Sequence, residues 1–143
     1  MTFHYIEFKT YCHATEDIDK VKDILYELAG EDIEIETSEA EGYYGNPIEI
    51  LETTISRNRD MDEFFKKIPE DIIQDLLDTV ERRVDERCNF FFRLDKEGRL
   101  DEGLLLSDGE NTVKVRARVE SYPAKRSSAI DILQKYLKEL KER

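Results

Sequence analysis

Val113-Lys-Val-Arg-Ala-Arg-Val119 alternates apolar and cationic residues without a break, and this period of two constrains the chain more than any other stretch. Successive side chains of a strand point to opposite faces, so Val113, Val115, Ala117 and Val119 share one face and Lys114, Arg116 and Arg118 the other. A strand that is dry on one face and wet on the other belongs in a sheet covered on one side only. Its three cations form a stripe about 13 Å long, at about 6.6 Å per two-residue step. Such a stripe can follow a few backbone phosphates. Alternatively it is a solvated face whose cations pair with Glu7, Glu34 and Glu36 on neighbouring strands.

Other segments supply the rest of the sheet and its cover. Residues 3 to 13 read as a strand with Ile6, Phe8, Thr10 and Cys12 inward, a phase that also turns His4 inward, and with Glu7, Lys9, Tyr11 and His13 outward. Thr15 stands where a helix N-cap is expected, with Glu16 and Asp17 suited to the positive end of the helix dipole. The stripe Ile18, Val21, Ile24, Leu25 and Leu28 then runs to Gly30. Ile33, Ile35 and Thr37 alternate with Glu34, Glu36 and Ser38 as a second strand. A third runs from Ile48 to Ile55, and its apolar phase switches from Ile48 and Ile50 to Leu51 and Ile55, implying a bulge or burial on both faces.

Met61, Phe64, Phe65 and Ile68 form the inner face of a short helix, and Pro69 opens another whose apolar positions continue through Leu76 and Val80 to Val84. Cys88 to Leu94 is a strand. Asp95 to Ser107 reads equally as a helical turn or as strand, and Asp108-Gly109 as a turn. Pro123 ends the basic strand, and Ile130, Leu133, Tyr136, Leu137 and Leu140 mark a last amphipathic helix. The pattern predicts one α+β domain over residues 1–143, a sandwich with a mixed or antiparallel sheet of about five strands and helices on one face. The part up to Leu94 has the element order of a ferredoxin-like unit.

At 143 residues the chain suits one domain with a real core. No apolar run is long enough for a signal or membrane segment, so a soluble cytoplasmic protein is expected. Cys12 and Cys88 lack CxxC or CxxH spacing and read as small core residues, with no metal or cofactor indicated. Charged residues make up 39% of the chain with both signs interspersed, as in proteins of hot environments. The net charge of -12 argues against a polyanionic partner until its distribution is considered. Residues 111 to 143 hold nine basic and four acidic residues, a local net of +5, which leaves -17 on the first 110.

Three further groups are candidates for function. Between the second and third strands lies Glu41-Gly-Tyr-Tyr-Gly-Asn-Pro47, where glycines shape the turn and Pro47 extends Asn46, presenting Tyr43, Tyr44 and Asn46 at a tip suited to base stacking. One tyrosine folding back on the sheet explains the same loop without a ligand. Lys125 and Arg126 lie beyond the basic strand in a serine-rich turn that could hold phosphate. If Tyr5, Tyr11, Phe91 and Arg93 share the face of the stripe, aromatics and cations are interleaved as a nucleic-acid surface needs. Lys96, in Arg93-Leu-Asp-Lys96, is either an ion-pairing residue or an RNA contact. His13, Thr15, Glu16 and Asp17 form a polar cluster that helix capping explains without catalysis. No GxSxG, HExxH, Walker or dinucleotide motif occurs.

Four segments, in this order across nearly the whole chain, resemble an archaeal family described as RNA-binding proteins or predicted exosome subunits: His13-Ala-Thr-Glu-Asp17, Glu41-Gly-Tyr-Tyr-Gly-Asn-Pro47, Arg93-Leu-Asp-Lys96 and Tyr122-Pro-Ala-Lys-Arg126. The resemblance implies a fold like that of the ribosomal protein that holds 5S RNA, an archaeal source and a link to RNA processing. Where the family has an alanine-rich turn after Arg-Leu-Asp-Lys, this chain has Glu97-Gly-Arg-Leu-Asp101. The expected function is non-catalytic RNA binding, accessory to the exosome or to ribosome and RNA processing. The alternative is an acidic subunit that docks on a basic protein without touching RNA.

Overall fold

Strand β1 (Phe3–His13) runs through the middle of the molecule and organises everything else. The computed structural model describes residues 2–41, 45–96 and 112–142. In chain order β1 is followed by α1 (Ile18–Ala29), β2 (Glu36–Glu41), β3 (Pro47–Ile55), α2 (Asn58–Lys67), α3 (Glu70–Asp78), β4 (Asn89–Asp95), β5 (Thr112–Val119) and α4 (Arg126–Lys141). The strands form one antiparallel sheet in the order β2-β3-β1-β5-β4, with helices on one side, as the α+β reading requires.

That order corrects the ferredoxin-like reading of the first 94 residues. β5 enters between β1 and β4, so β4 keeps the edge but no longer pairs with β1. The inserted strand is the one with strict apolar and cationic alternation, so its valines join the central core and its cations reach the middle of the open face.

An aromatic cluster fills the space between sheet and helices. Phe3 stacks on Phe65 with centroids 5.0 Å apart, and Phe8 meets Phe64 edge-on at 4.9 Å. Phe92 and Phe90 extend the cluster under β4 and β5. Burying such rings contributes most of the driving force for closing the helical layer, and edge-on contacts add to it. Polar ties fix the helices in register: Tyr136 on α4 donates its hydroxyl to Asp62 on α2 at 2.8 Å, and Lys67 on α2 donates to the Glu27 carbonyl of α1 at 2.9 Å.

Several local expectations change in three dimensions. A bulge between Phe3 and Tyr5 sends Phe3 inward and leaves His4 exposed, reversing the phase expected for His4. Asp17, not Thr15, caps α1: its carboxylate accepts the Asp19 N–H at 3.0 Å. The helix after Pro69 stops at Asp78. Val80 remains buried in a 3-10 turn (Val80–Arg82), and Val84 reaches the core through a bridge to Phe90. Apolar spacing therefore persisted where the helix did not. β2 begins at Glu36, after the half-buried Ile33 and Ile35, where the Thr53 hydroxyl donates to the Glu34 carbonyl at 2.8 Å.

β3 pairs with β1 without a register shift, so its change of phase is burial on both faces, with Ile48 and Ile50 half-buried on the open side. Cys88 is buried just before β4 and adopts a left-handed φ of 66°. Asp85 supports that conformation by accepting the N–H groups of Arg87 and Asn89 and the Asn89 side-chain amide. Burial raises the Asp85 pKa, but these bonds and the Arg118 charge outweigh it and hold the carboxyl below its ordinary range.

Candidate nucleic-acid interface

The pairing registers define the face that no helix covers. Residues directly opposite in antiparallel strands point the same way, so this face carries Tyr5, Glu7, Lys9 and Tyr11 from β1 and Lys114, Arg116 and Arg118 from β5. Phe91 and Arg93 from β4 lie opposite Arg116 and Lys114. The condition set by the sequence is met: Tyr5, Tyr11, Phe91 and Arg93 share the face of the stripe. Phe91 is 41% exposed there, although the strand's other phenylalanines are buried.

Lys9, Lys114 and Arg93 form one row across three adjacent strands. Like charges directly across a sheet oppose folding, and on the other side of Lys9 the row ends in an opposite charge, Glu52 of β3. Tyr11 moderates the repulsion. The Lys114 and Lys9 ammonium groups lie 5.3 and 5.9 Å from its ring centroid, within cation–π range. Lys9 was not singled out from the sequence. Its outward phase was legible, but only the adjacency of β1 and β5 makes it part of the basic row.

Arg116 of the stripe is paired. Arg116 makes an ion pair with Glu7, directly opposite on β1, with both side chains about 40% exposed. This is the pairing that a solvated face would show. Such a half-exposed pair contributes little to stability. The Arg118 side chain lies close enough to Asp85 to lower its pKa, while Asn89 stands opposite Arg118.

Lys96 and Arg126 have structural attachments. The Lys96 ammonium, only 12% exposed, donates to the Tyr11 carbonyl at 2.9 Å and to Glu16 at 2.7 Å. The Arg126 guanidinium donates to the carbonyls of Val84, at 2.9 Å, and Glu81, clasping the start of α4 to the turn before β4. Lys125 is exposed at the N-cap of α4, off the open face. Asn46 is exposed where β3 begins, and Tyr43 and Tyr44 lie outside the described residues.

The polar cluster around His13 is a lashing at the end of β1. The Glu16 carboxylate accepts the His13 backbone N–H at 3.2 Å, and the His13 carbonyl accepts the Glu16 N–H at 2.9 Å. Burial raises the Glu16 pKa, but the bonds from Lys96 and His13 and their charges bring it below the ordinary value. Neighbouring Cys12 is pushed the other way, by burial first and then by the Glu16 charge, so its thiol stays protonated at neutral pH. Thr15 and Asp17 are exposed. Among the described residues no group of His, Cys, Asp or Glu is placed to hold a metal ion, and no helix is long and apolar enough to cross a membrane.

Residues 5–119 match a family described as RNA binding, a span that takes in β1 from Tyr5 onward and the other four strands whole. The chain belongs to this RNA-binding family. It is 31% identical to the RNA-binding protein PAB1135 of Pyrococcus abyssi (strain GE5 / Orsay), over 94% of this chain and 93% of that protein. A DUF54 protein of Methanothermobacter thermautotrophicus has the same fold, with a TM-score of 0.80 and 33% identity over 96% of this chain and 99% of its own. A DUF54 protein of Sulfolobus solfataricus keeps the fold at 21% identity, with a TM-score of 0.68 over 94% of this chain and 98% of its own. These relatives are archaeal, and the names of the family and of the Pyrococcus relative describe binding, not catalysis.

Proposed function

We propose that the protein binds RNA across the open face of its sheet, with Lys9, Lys114, Arg118 and Arg93 attracting phosphates and Phe91 offering a ring to a base. The observation that carries this reading is the row Lys9, Lys114 and Arg93, three cations side by side on an uncovered face between aromatic side chains. Phosphate neutralisation supplies sequence-independent affinity, and an exposed ring stacks on any base. Membership of the RNA-binding family supports the same reading. Arg126 and Lys96 are left out of the contact set because their donors already serve the fold. Lys125, Asn46 and the loop tyrosines Tyr43 and Tyr44 are proposed as peripheral contacts. The wider role we propose is non-catalytic, in the cytoplasm, as an accessory to RNA-processing machinery such as the exosome or the ribosome.

Titration of labelled RNA at low and high salt tests the reading. Saturable binding that weakens steeply with salt, and that is reduced in a Lys114→Ser, Arg118→Ser variant, is expected. Equal affinity in that variant would reject the face as the site.

A second reading has its own observation. A groove of about 740 Å³ lies at the β2–β3 edge of the sheet, where Glu31, Asp32, Glu34, Glu36, Glu52 and Glu63 outnumber Arg57 and Arg59. Its charge complements a basic protein segment, in keeping with the acidic-adaptor alternative. Co-purification of a basic partner that survives nuclease and is lost in a Glu34→Gln, Glu36→Gln, Glu52→Gln variant would favour that role.

A further inference from the structure

Tyr122 is 83% exposed, and among the described residues it and Phe91 are the large apolar side chains left in solvent. Phe91 belongs to the open face, whereas Tyr122 stands beyond the C-terminal end of β5, in the turn leading to α4. Its ring is exposed while the turn beneath is anchored. Ser121 is buried and donates its hydroxyl to the Pro123 carbonyl at 2.7 Å, which also accepts the Lys125 N–H at 2.8 Å. The Glu120 N–H is held by the Thr2 carbonyl at 2.9 Å, and Arg126 clasps the start of α4. A ring presented from an anchored turn loses little freedom on binding, which favours its use as a contact.

The charges on either side of it in the chain are mostly basic. Arg118 lies four residues before Tyr122, at most about 13 Å away along extended chain. Lys125 follows three residues later and is exposed, and Glu120 is the one acidic residue between Lys114 and Lys125. A ligand that tracks the cations of β5 towards its C-terminal end therefore arrives at an uncovered aromatic face.

We propose that Tyr122 stacks on an unpaired base of the bound RNA. The inference rests on the open-face reading and narrows its ligand class. Inside a duplex both faces of a base are covered by its neighbours, so a protruding ring finds a partner only on a single strand or at an overhang. The preferred ligand is RNA with single-stranded nucleotides beside the tract held by Lys114 and Arg118.

The test is fluorescence anisotropy with two labelled probes, a single-stranded RNA of about 12 nucleotides and a blunt duplex containing the same strand. The proteins compared are the unaltered chain, Tyr122→Ala, Tyr122→Phe and the Lys114→Ser, Arg118→Ser variant, each checked for folding by circular dichroism. Tyr122→Ala is expected to bind the single strand about fivefold or more weakly and the duplex within about twofold, while Tyr122→Phe retains affinity. If Tyr122→Ala matches the unaltered chain on the single strand while the stripe variant loses binding, the open-face reading stands and this inference falls, leaving Tyr122 as a candidate protein contact. Equal weakening on both probes also overturns stacking on an unpaired base. If the unaltered chain binds neither probe at low salt, both proposals fall.

Discussion

The two halves of the open sheet face share antiparallel geometry and carry opposite charge. On the side of β2 and β3, Glu36 and Glu52 face out among Ser38, Thr54, Ile48 and Ile50. Across β5 and β4 the equivalent positions are Lys114, Arg116, Arg118, Phe91 and Arg93. β1 is the seam, with Glu7 paired to Arg116 and Lys9 joining the basic row. Three strand spacings, about 14 Å, separate β2 from β5. That exceeds the Debye length of about 8 Å at physiological salt, so a phosphate held over β5 is largely screened from the carboxylates of β2. A protein of net charge -12 can thus present a cationic site. The arrangement of charge decides what it attracts at close range.

The largest expected effect comes from removing the basic half. Replacing Lys114, Arg116 and Arg118 together by Ser should weaken single-stranded RNA on the order of 100-fold at low salt. The slope of log affinity against log salt should fall by about 2 rather than 3, because Arg116 already has Glu7. A fall of less than threefold in affinity would remove the contrast between the halves.

Lys96→Met sharpens the contrast by touching a cation that serves the fold. We expect a stability loss of about 1–2 kcal/mol in urea unfolding, since Glu16 and the Tyr11 carbonyl lose a partly buried donor, with RNA affinity changed little. The same pair gives the chain a pH dependence. The Glu16 pKa is lower in the folded state than in the unfolded chain, so its contribution is fully present above the ordinary carboxylate value of about 4.3 and is lost as the pH falls through the depressed folded value. Unfolding midpoints measured from pH 7 down to pH 3 should therefore converge for the unaltered chain and Glu16→Gln. Parallel curves would show that the pair carries no net stability.

Phe91→Ser tests the ring on the face itself. Affinity should fall about fivefold with the salt slope unchanged, because stacking is lost and no phosphate contact is removed. A changed slope would mean that the substitution disturbs the cations around it. The smallest effect belongs to the acidic half: Glu36→Gln on β2 should leave RNA affinity within about twofold or slightly tighter. A tenfold gain would show that the two halves are not electrostatically separate.

The element types were legible because they depend on local periodicity. β1 from Tyr5 onward, α1, β5 and α4 follow from apolar spacing that no tertiary contact had to override. The misses share a cause. His4 turned outward through a bulge set by pairing with β5, Val84 left its helix to bridge Phe90, and the capping role moved from Thr15 to Asp17 where the turn after β1 closes on Glu16. Each depends on a partner distant in sequence or on turn geometry that spacing does not encode. Site residues divided in the same way. Lys114, Arg116 and Arg118 were readable from alternation alone, whereas Lys9 needed its neighbour and Lys96 and Arg126 proved to be fastenings.

By itself the sequence determined that Lys114, Arg116 and Arg118 share one face of a strand, because alternation is a property of the extended backbone. It determined equally that the opposite face is apolar and must be covered. Only the tertiary structure decided that β5 lies between β1 and β4, and so that Lys9, Tyr11, Phe91 and Arg93 surround the stripe. Strand order depends on how side chains far apart in the chain pack beneath the sheet, and local periodicity carries no information about that choice.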